Sequence, residues 1–151
     1  MASAHVGIGM TSQRTRQRMI DRLREKGIQD AAVLAQLTDE VYAVERLEPL
    51  IAKAKLNLRQ VQEFRVRLKH GDGQLGLPEA APFDTIILAA AAQRVPPALL
   101  QQLALGGRMM LPLSTGGTGD QTLCLIERRP EGFVESRLDA VRFVPLLSGI
   151  E

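Results

Sequence analysis

The chain has 151 residues, of which 45% are hydrophobic and 3% aromatic, and its formal net charge is +2. This length allows one domain with a core built mainly from aliphatic side chains. The single cysteine, Cys124, excludes an internal disulfide framework, and no apolar run is long enough to cross a bilayer. The first residues also lack the charged start and apolar core of a signal peptide. We therefore expect a cytoplasmic protein without membrane contact.

The first part of the chain predicts helices. Residues 1–10 are expected to be a flexible lead-in, and residues 11–151 a single domain. A helix is predicted to run to about Lys26, with Thr11 or Ser12 as its N-cap and Gly27 as its end. This helix carries basic residues, for which a solvated helix face is favoured over nucleic-acid contact. A second helix is predicted over residues 30–37, and no nucleic-acid partner is expected.

The run Val41–Glu45 is apolar and ends abruptly on a carboxylate, and the residues after it predict a helix to about Leu58. A strand that ends on an acidic residue and turns into a helix is typical of a βα unit. Ligands of open parallel sheets bind at the carboxyl edge, where a carboxylate commonly accepts hydrogen bonds from two ribose hydroxyls. Glu45 is therefore a candidate ribose ligand, although many strands end on Glu by chance.

The next strand, Phe64–Leu68, alternates apolar and basic residues, which is typical of a half-buried or edge strand. It leads into the turn His70–Gly73. Asp72 in this turn has two interpretations: it either hydrogen-bonds its own backbone or accepts from the exocyclic amine of a ligand. Glu45 and Asp72 each follow a strand in consecutive β units. Together they fit a nucleoside, with the ribose at one residue and the base near the other.

The second half of the chain predicts mostly strands. Phe83–Ala89 is a nearly continuous apolar run, typical of a parallel strand covered on both faces. A helix is predicted over Ala98–Leu105, because prolines suit a first helical turn and the pair Gly106-Gly107 would stop it. Three more strands are predicted, the last two joined as an antiparallel hairpin: Arg108–Leu113, Gln121–Arg129 and Phe133 to about Val144. This order predicts an α/β protein, a three-layer α/β/α sandwich with a mostly parallel sheet and antiparallel C-terminal strands.

Other sites receive little support from the residues. The Gly-rich loop Ser114–Asp120 leads into a strand, so a turn is favoured over a phosphate cradle, which needs a following helix. His5 and His70 have no metal-ligand spacing, and no metal is predicted. Cys124 lies among apolar neighbours and is expected to be an inert strand residue.

Five segments carry a further pattern: Val44–Arg46, His70–Gly73, Ala81–Ile87, Leu103–Arg108 and Val141–Leu146. Together they resemble the bacterial protein-L-isoaspartate O-methyltransferases. The resemblance implies a Rossmann-like class I methyltransferase that repairs damaged proteins. It implies transfer of a methyl group from S-adenosylmethionine to the free α-carboxylate of an L-isoaspartyl residue, with S-adenosylhomocysteine as the product. That oxygen is already anionic, so alignment can supply most of the catalysis and no strong base is required.

The resemblance also implies site residues, position by position. Glu45 would hold the ribose hydroxyls with Arg46 beside it, while Asp72 and Gly73 would lie against the adenine. The strand-end loop beside the methyl donor would contain three alanines: Ala89, Ala90 and, nearest the substrate, Ala91. The docked isoaspartyl peptide would lie near four further residues: Arg142, Phe143, Val144 and Pro145. No catalytic residue is assigned.

Two segments of the family pattern are absent. One is the first strand with its Gly-rich cofactor loop, and the other is a segment whose serine is linked with catalysis. The break lies at about Asp30–Ala32. Either the residues are disordered and left out of the printed sequence, or the molecule lacks them. We favour the first explanation, because a deletion would remove a central strand and leave an apolar face uncovered. A chain of these 151 residues alone is predicted to be inactive.

Two other functions remain as alternatives. A nicotinamide-dependent oxidoreductase also needs a carboxylate for its cofactor's ribose, and Glu45 would serve. However, the missing Gly-rich loop weakens this reading equally. A catalytically inactive α/β interaction module is the third hypothesis, favoured if no nucleoside binds.

Overall fold

The computed structural model describes residues 40–116 and 119–151. The predicted lead-in, the two predicted N-terminal helices and the break near residues 30–32 lie outside the described residues. The described part forms two compact units: a first unit of residues 40–73 with 148–151, and a second unit of residues 74–147. The expectation of one domain over residues 11–151 stays a prediction.

The first unit contains strand β1 (Val41–Glu45), helix α1 (Glu48–Gln60) and strand β2 (Val66–His70). The two strands are parallel, and Glu45 lies opposite His70 in the register. The structure confirms the bounds predicted for β1. The second strand begins two residues later than predicted, because the Glu63 carboxylate accepts the Arg65 backbone N–H at 2.8 Å and holds a turn there.

Helix α1 begins with Glu48 and Pro49, which suit the first turn because a carboxylate complements the helix dipole and proline lacks a donor to satisfy. Its buried residues are Ile51 and Leu58, seven positions apart and so on one face. Leu58 packs with Val66 of β2 in a small apolar cluster. This cluster fixes the helix against the two strands.

The second unit is a four-stranded sheet with the order β3-β4-β5-β6. Strand β3 runs parallel to β4, and the β4–β5 and β5–β6 pairs are antiparallel. The predicted antiparallel hairpin at the C-terminal side of the sheet is therefore confirmed. The elements have these bounds: β3, Phe83–Ile87; α2, Pro97–Gln102; β4, Leu103–Thr115; β5, Asp120–Arg129; β6, Gly132–Val141.

The core of the second unit lies on one face of β4 and β5. Met109 is paired with Ile126 and Leu111 with Cys124, so these four side chains share a face. Met109 and Leu111 are fully buried, and Leu99 of α2 packs into the same cluster. Burial raises the pKa of the Cys124 thiol, which agrees with its prediction as an inert strand residue.

Strand β3 differs from its prediction. It ends at Ile87 rather than Ala89, and it is not covered on both faces, because Asp84, Thr85 and Ile87 are exposed. In the sheet formed by the described residues, β3 lies at an edge beside β4, where fewer neighbouring side chains cover its faces. An apolar run therefore predicted the strand correctly and its burial wrongly.

Helix α2 ends at Gln102, three residues before the predicted end, and β4 begins at Leu103. Leu103 is completely buried and is paired with Phe83, so tertiary packing overrides the local helix signal. Gly106 has φ +79°, and a Cβ on Gly107 would lie 2.8 Å from the Ala104 carbonyl oxygen. The two glycines serve an irregular, closely approached strand and do not stop the helix.

The Gly-rich loop lies between β4 and β5, and its residues 117 and 118 lie outside the described residues. Thr115 is paired with Asp120 in antiparallel register, and Thr115 Oγ1 donates to the Asp120 carbonyl at 3.2 Å. No helix follows the loop, since β5 begins at Asp120. The prediction of a turn is confirmed.

Candidate functional site

Two turns meet at the carboxyl edge of the β1–β2 pair. Because the strands are parallel and Glu45 lies opposite His70, the residues that follow both strands emerge at the same edge. The Gly71 N–H donates to the Glu45 carbonyl oxygen at 3.0 Å and continues the pairing by one residue. The structure therefore brings Glu45 and the Asp72 turn side by side, as the order of β units predicted.

The Glu45 side chain is oriented by the start of α1. Its Oε1 accepts the Leu47 backbone N–H at 2.9 Å, which supplies a cap that Leu47, the N-cap residue, cannot give with its own side chain. Among the described residues Oε2 has no hydrogen-bond partner. The half-buried carboxylate thus keeps one oxygen for hydroxyl donors such as those of a ribose.

Arg46 directs its side chain to the segment Ser148–Glu151, which belongs to the same unit. Its Nε donates to the Gly149 carbonyl at 3.2 Å, and one terminal nitrogen pairs with the Glu151 carboxylate at 2.7 Å. Its carbonyl oxygen accepts the Glu151 N–H at 2.8 Å and lies 2.9 Å from His70 Nε2, which donates when that nitrogen carries the proton. Sequence reasoning missed this arrangement, since nothing in residues 148–151 pointed to Arg46.

Asp72 and Gly73 differ in what surrounds them. Asp72 Oδ2 accepts the Gly149 backbone N–H at 2.7 Å, so its carboxylate is held by the same 148–151 segment. A Cβ placed on Gly73 would meet no atom within 4 Å. The turn is therefore open on the side where a Gly73 side chain would lie, and the carboxylates and backbone present fit the chemistry of an adenine nucleoside.

In the second unit, Ala91 and the predicted peptide-binding segment lie together. The Ala91 N–H donates to the Val144 carbonyl, the Leu146 N–H donates to the Ala91 carbonyl at 2.8 Å, and Ala91 forms a parallel bridge with Pro145. Ala91 is 3% exposed and Val144 is 7% exposed, so the side chains of both residues are buried and unavailable to a ligand.

The remaining predicted site residues of the second unit are more accessible. Arg142 and Pro145 are exposed, and Phe143 is half-buried. Ala89 and Ala90 are half-buried and form a bend after β3. Their assigned roles stay predictions.

Gln121 is a residue that sequence reasoning missed. Its Nε2 donates to the Phe143 carbonyl at 2.8 Å, while its Oε1 accepts the Phe143 N–H. The side-chain amide thus imitates one step of a strand ladder and fixes the backbone between Arg142 and Val144. The sequence signal that could have found it was its position as the first residue of a predicted strand. In the structure Gln121 is paired with Val141.

Gln102 holds a second backbone segment in the same manner. Its buried amide accepts the Leu77 N–H at 2.8 Å and donates to the Leu75 carbonyl at 2.8 Å. Between them, Gly76 has φ +65°, and a Cβ there would lie 2.3 Å from Gln102 Oε1. No sequence pattern distinguished this glutamine from its exposed neighbour Gln101.

Within residues 40–116 and 119–151, no group of three or more His, Cys, Asp or Glu side chains is arranged to hold a metal ion. No helix in that part of the chain combines the length and the hydropathy needed to cross a membrane.

Comparison with known proteins gives consistent relatives. A protein-L-isoaspartate O-methyltransferase of Dechloromonas aromatica (strain RCB) is 48% identical over 216 residues, covering 96% of this chain and 99% of the relative. That alignment is longer than the 151 residues of this chain, so the relative contains residues without a counterpart here. A protein of the same name from Aromatoleum aromaticum is 58% identical over 121 residues, covering 80% of this chain and 54% of the relative. The chain thus spans about half the length of some curated relatives it matches.

Solved structures give the fold. A protein-L-isoaspartate O-methyltransferase structure matches with a TM-score of 0.72 and 27% identity, covering 77% of this chain and 38% of that chain. A Plasmodium falciparum structure, described as a beta-aspartate methyltransferase in complex with S-adenosyl-L-homocysteine, matches with a TM-score of 0.63 and 24% identity, covering 78% of this chain and 57% of that chain. These neighbours confirm the predicted Rossmann-like class I methyltransferase fold.

The family model agrees with these matches. Residues 14–151 match the model described as Protein-L-isoaspartate(D-aspartate) O-methyltransferase (PCMT). This match covers nearly all of the chain and includes both turns of the β1–β2 edge and the segment that bridges to Ala91. The chain therefore belongs to the protein-L-isoaspartate(D-aspartate) O-methyltransferase family.

Proposed function

We propose that the chain serves the reaction of its family, S-adenosylmethionine-dependent methylation of the free α-carboxylate of L-isoaspartyl residues in damaged proteins. The observation that carries the proposal is the family match over residues 14–151. The pairing of β1 with β2 supports it, because this pairing sets two carboxylates at a sheet edge of the kind that binds nucleosides. The partners would be isoaspartyl-containing proteins and peptides, and the proposed compartment is the cytoplasm.

The β1–β2 edge would hold the adenosine part of the cofactor. Glu45 Oε2 would accept from the ribose hydroxyls, and the turn of Asp72 and Gly73 would receive the adenine against its open side. Arg46 would contribute by keeping the turn after Glu45 in place, since its guanidinium is occupied by Gly149 and Glu151. When bound, S-adenosylmethionine supplies an electrophilic methyl group.

The second unit would receive the isoaspartyl peptide. Ala91 and Pro145 bring the bend of Ala89 and Ala90 next to the 142–146 segment. The exposed Arg142 offers a cation for the anionic α-carboxylate. Because that carboxylate is already the nucleophile, these residues need to bind and orient it, and no proton has to be removed.

The residues present cover the nucleoside end of the cofactor better than its amino-acid end. In the family pattern a Gly-rich loop lies against the amino-acid part, and that loop has no counterpart here. We expect a polypeptide of these 151 residues to bind S-adenosylhomocysteine weakly and to transfer no measurable methyl group. A chain that carries a relative's loop segment inserted directly after Asp30 should transfer methyl groups to an isoaspartyl peptide.

The test begins with an intact mass, and a value near 16.5 kDa would mean that the polypeptide consists of these residues alone. A larger mass would mean that the missing loop is present in the polypeptide. Titrations with S-adenosylhomocysteine and NAD, read as changes in melting temperature, then compare the cofactors, since only a bound ligand stabilises the folded state. Stabilisation by NAD alone would contradict the proposal, and stabilisation by neither would favour an interaction module.

Methyl transfer is measured with tritiated S-adenosylmethionine on a peptide containing one L-isoaspartyl residue. The control is the same peptide with a normal aspartyl residue, which has no free α-carboxylate at that position. Equal labelling of both peptides by the loop-restored chain would contradict the proposed substrate. Labelling by the unmodified 151-residue chain would contradict the predicted inactivity while supporting the function.

A further inference from the structure

The segment Ser148–Glu151 is hydrogen-bonded to both turns of the β1–β2 edge, although its partners are between 77 and 105 positions away in sequence. Two contacts are backbone pairs: the Glu151 N–H donates to the Arg46 carbonyl, and the Glu48 N–H donates to the Glu151 carbonyl, each at 2.8 Å. Such a reciprocal pair is a short stretch of strand-like ladder, which fixes the direction of the segment.

The contact at Glu48 also completes the start of α1. A helix leaves its first backbone N–H groups without intrahelical partners. Here the Glu45 carboxylate accepts from Leu47, and the Glu151 carbonyl accepts from Glu48. The segment and the proposed ribose ligand therefore share the work of capping the same helix, so that loosening Glu151 also loosens the support of Glu45.

The contact at Asp72 fixes the other carboxylate. Gly149 has φ +81°, a left-handed conformation that a side chain would strain, and its N–H donates to Asp72 Oδ2 at 2.7 Å. A hydrogen bond to a charged acceptor is stronger than one to a neutral group and restricts its rotation. The Asp72 carboxylate, which is proposed to accept a hydrogen bond from the adenine amine, is thus oriented by the Gly149 backbone N–H.

We infer that the Ser148–Glu151 segment is a positioning element of the nucleoside site, which aims Asp72 and thereby sets the preference for adenine over a base without the exocyclic amine. The inference rests on the proposed function, because it takes the adenine to lie against Asp72 and Gly73. Its predicted effect concerns the selectivity for the base and goes beyond a general loss of stability.

The test compares binding of S-adenosylhomocysteine with binding of S-inosylhomocysteine, which carries a carbonyl in place of the amine. The intact chain should prefer the adenine compound. Deletion of residues 148–151 should weaken that compound about tenfold, the usual worth of a hydrogen bond to a charged group. Binding of the inosine compound should weaken less. The ratio of dissociation constants, inosine compound over adenine compound, should therefore fall. Glu131→Gln, an exposed change in the β5–β6 turn, is the matched control and should leave the ratio unchanged.

A milder variant keeps the test valid if the deletion disturbs folding. Glu151→Gln removes the charge that pairs with Arg46 and keeps the backbone contacts, and it should lower the ratio by about threefold. A double-mutant cycle adds the mechanism: once Asp72→Ala has removed the amine preference, deleting residues 148–151 should lower the ratio no further.

The outcomes separate the two proposals. Equal weakening of both compounds would reduce the segment to a structural support and overturn the inference, while leaving the proposed function intact. An unchanged ratio in the deleted chain would overturn it as well. If neither the intact chain nor the loop-restored chain binds either compound, the proposed function is overturned, and the inference falls with it.

Discussion

The two units of the chain are stabilised by different means. In the second unit, four strands and a short helix enclose side chains that are completely buried, among them Leu103, Met109 and Leu111. Among the described residues of the first unit, the apolar cluster is centred on Leu58 and Val66, and polar contacts from residues 148–151 hold the edge. The comparison teaches that the proposed nucleoside site is held mainly by hydrogen bonds, whereas the proposed peptide site combines hydrogen bonds with packing against a larger buried core.

The largest expected effect is a cavity in the second unit. Leu111→Ala should lower the free energy of unfolding by about 3–4 kcal/mol, because Leu111 is 0% exposed and its neighbours cannot collapse around it easily. The matched change in the first unit, Leu58→Ala, should cost about 2 kcal/mol, since Leu58 already borders solvent. Urea denaturation measures both. Equal costs would break the comparison.

A buried amide gives the next effect. Gln102→Leu removes the acceptor for Leu77 N–H and the donor to the Leu75 carbonyl, and should cost about 2 kcal/mol because buried backbone groups lose their partners. Gln101→Leu, an exposed change in the same helix, is the control and should cost less than about 0.5 kcal/mol. If the two variants have the same denaturation midpoint, the two hydrogen bonds of the Gln102 amide contribute nothing to stability.

Two glycine substitutions sharpen the contrast between the units. Gly107→Ala should cost about 1–3 kcal/mol, because its Cβ would lie 2.8 Å from the Ala104 carbonyl and 3.1 Å from the Asp84 carbonyl. Gly73→Ala places its Cβ in open space and should change stability by less than about 0.5 kcal/mol, while weakening S-adenosylhomocysteine binding. Thermal denaturation and a ligand titration check the pair. Normal S-adenosylhomocysteine binding by the Gly73→Ala variant would contradict the proposal that the adenine lies against this turn.

The smallest expected effect on the folded state is chemical. Burial raises the pKa of the Cys124 thiol above its ordinary value, so the reactive thiolate is scarcer at neutral pH and becomes populated only at higher pH than for a free cysteine. Iodoacetamide should therefore label the folded chain slowly at pH 7.5 and rapidly in urea, as followed by mass spectrometry. Fast labelling without urea would show that the β4–β5 core opens readily.

The sequence predicted the strands of this protein better than their surroundings. The apolar run that ends on Glu45 gave β1 correctly, and the turn residues between β5 and β6 gave the hairpin. The run at Phe83 predicted a strand, but its coverage depends on which strands lie beside it, and no local pattern contains that information. The pair Gly106-Gly107 imitated a helix stop because glycine serves both helix ends and irregular strands.

The candidate site was predictable only in part. Glu45 and Asp72 could be placed together because strand ends of parallel units meet at one edge. The partners that hold them could not, since Gly149 and Glu151 have no pattern and lie far away in sequence. The amides of Gln121 and Gln102 were hidden for a similar reason: glutamine is common on surfaces, and only the fold shows which backbone it reaches.

The bridge between Ala91 and Pro145 has a consequence for the order of folding. Strands β4, β5 and β6 are neighbours in sequence and pair through short turns, so they close small loops and can form early. The bridge instead joins Ala91 to Pro145, which are much further apart in sequence, and its closure carries the larger loss of chain entropy. We therefore expect the peptide-facing surface to form after the meander that supports it.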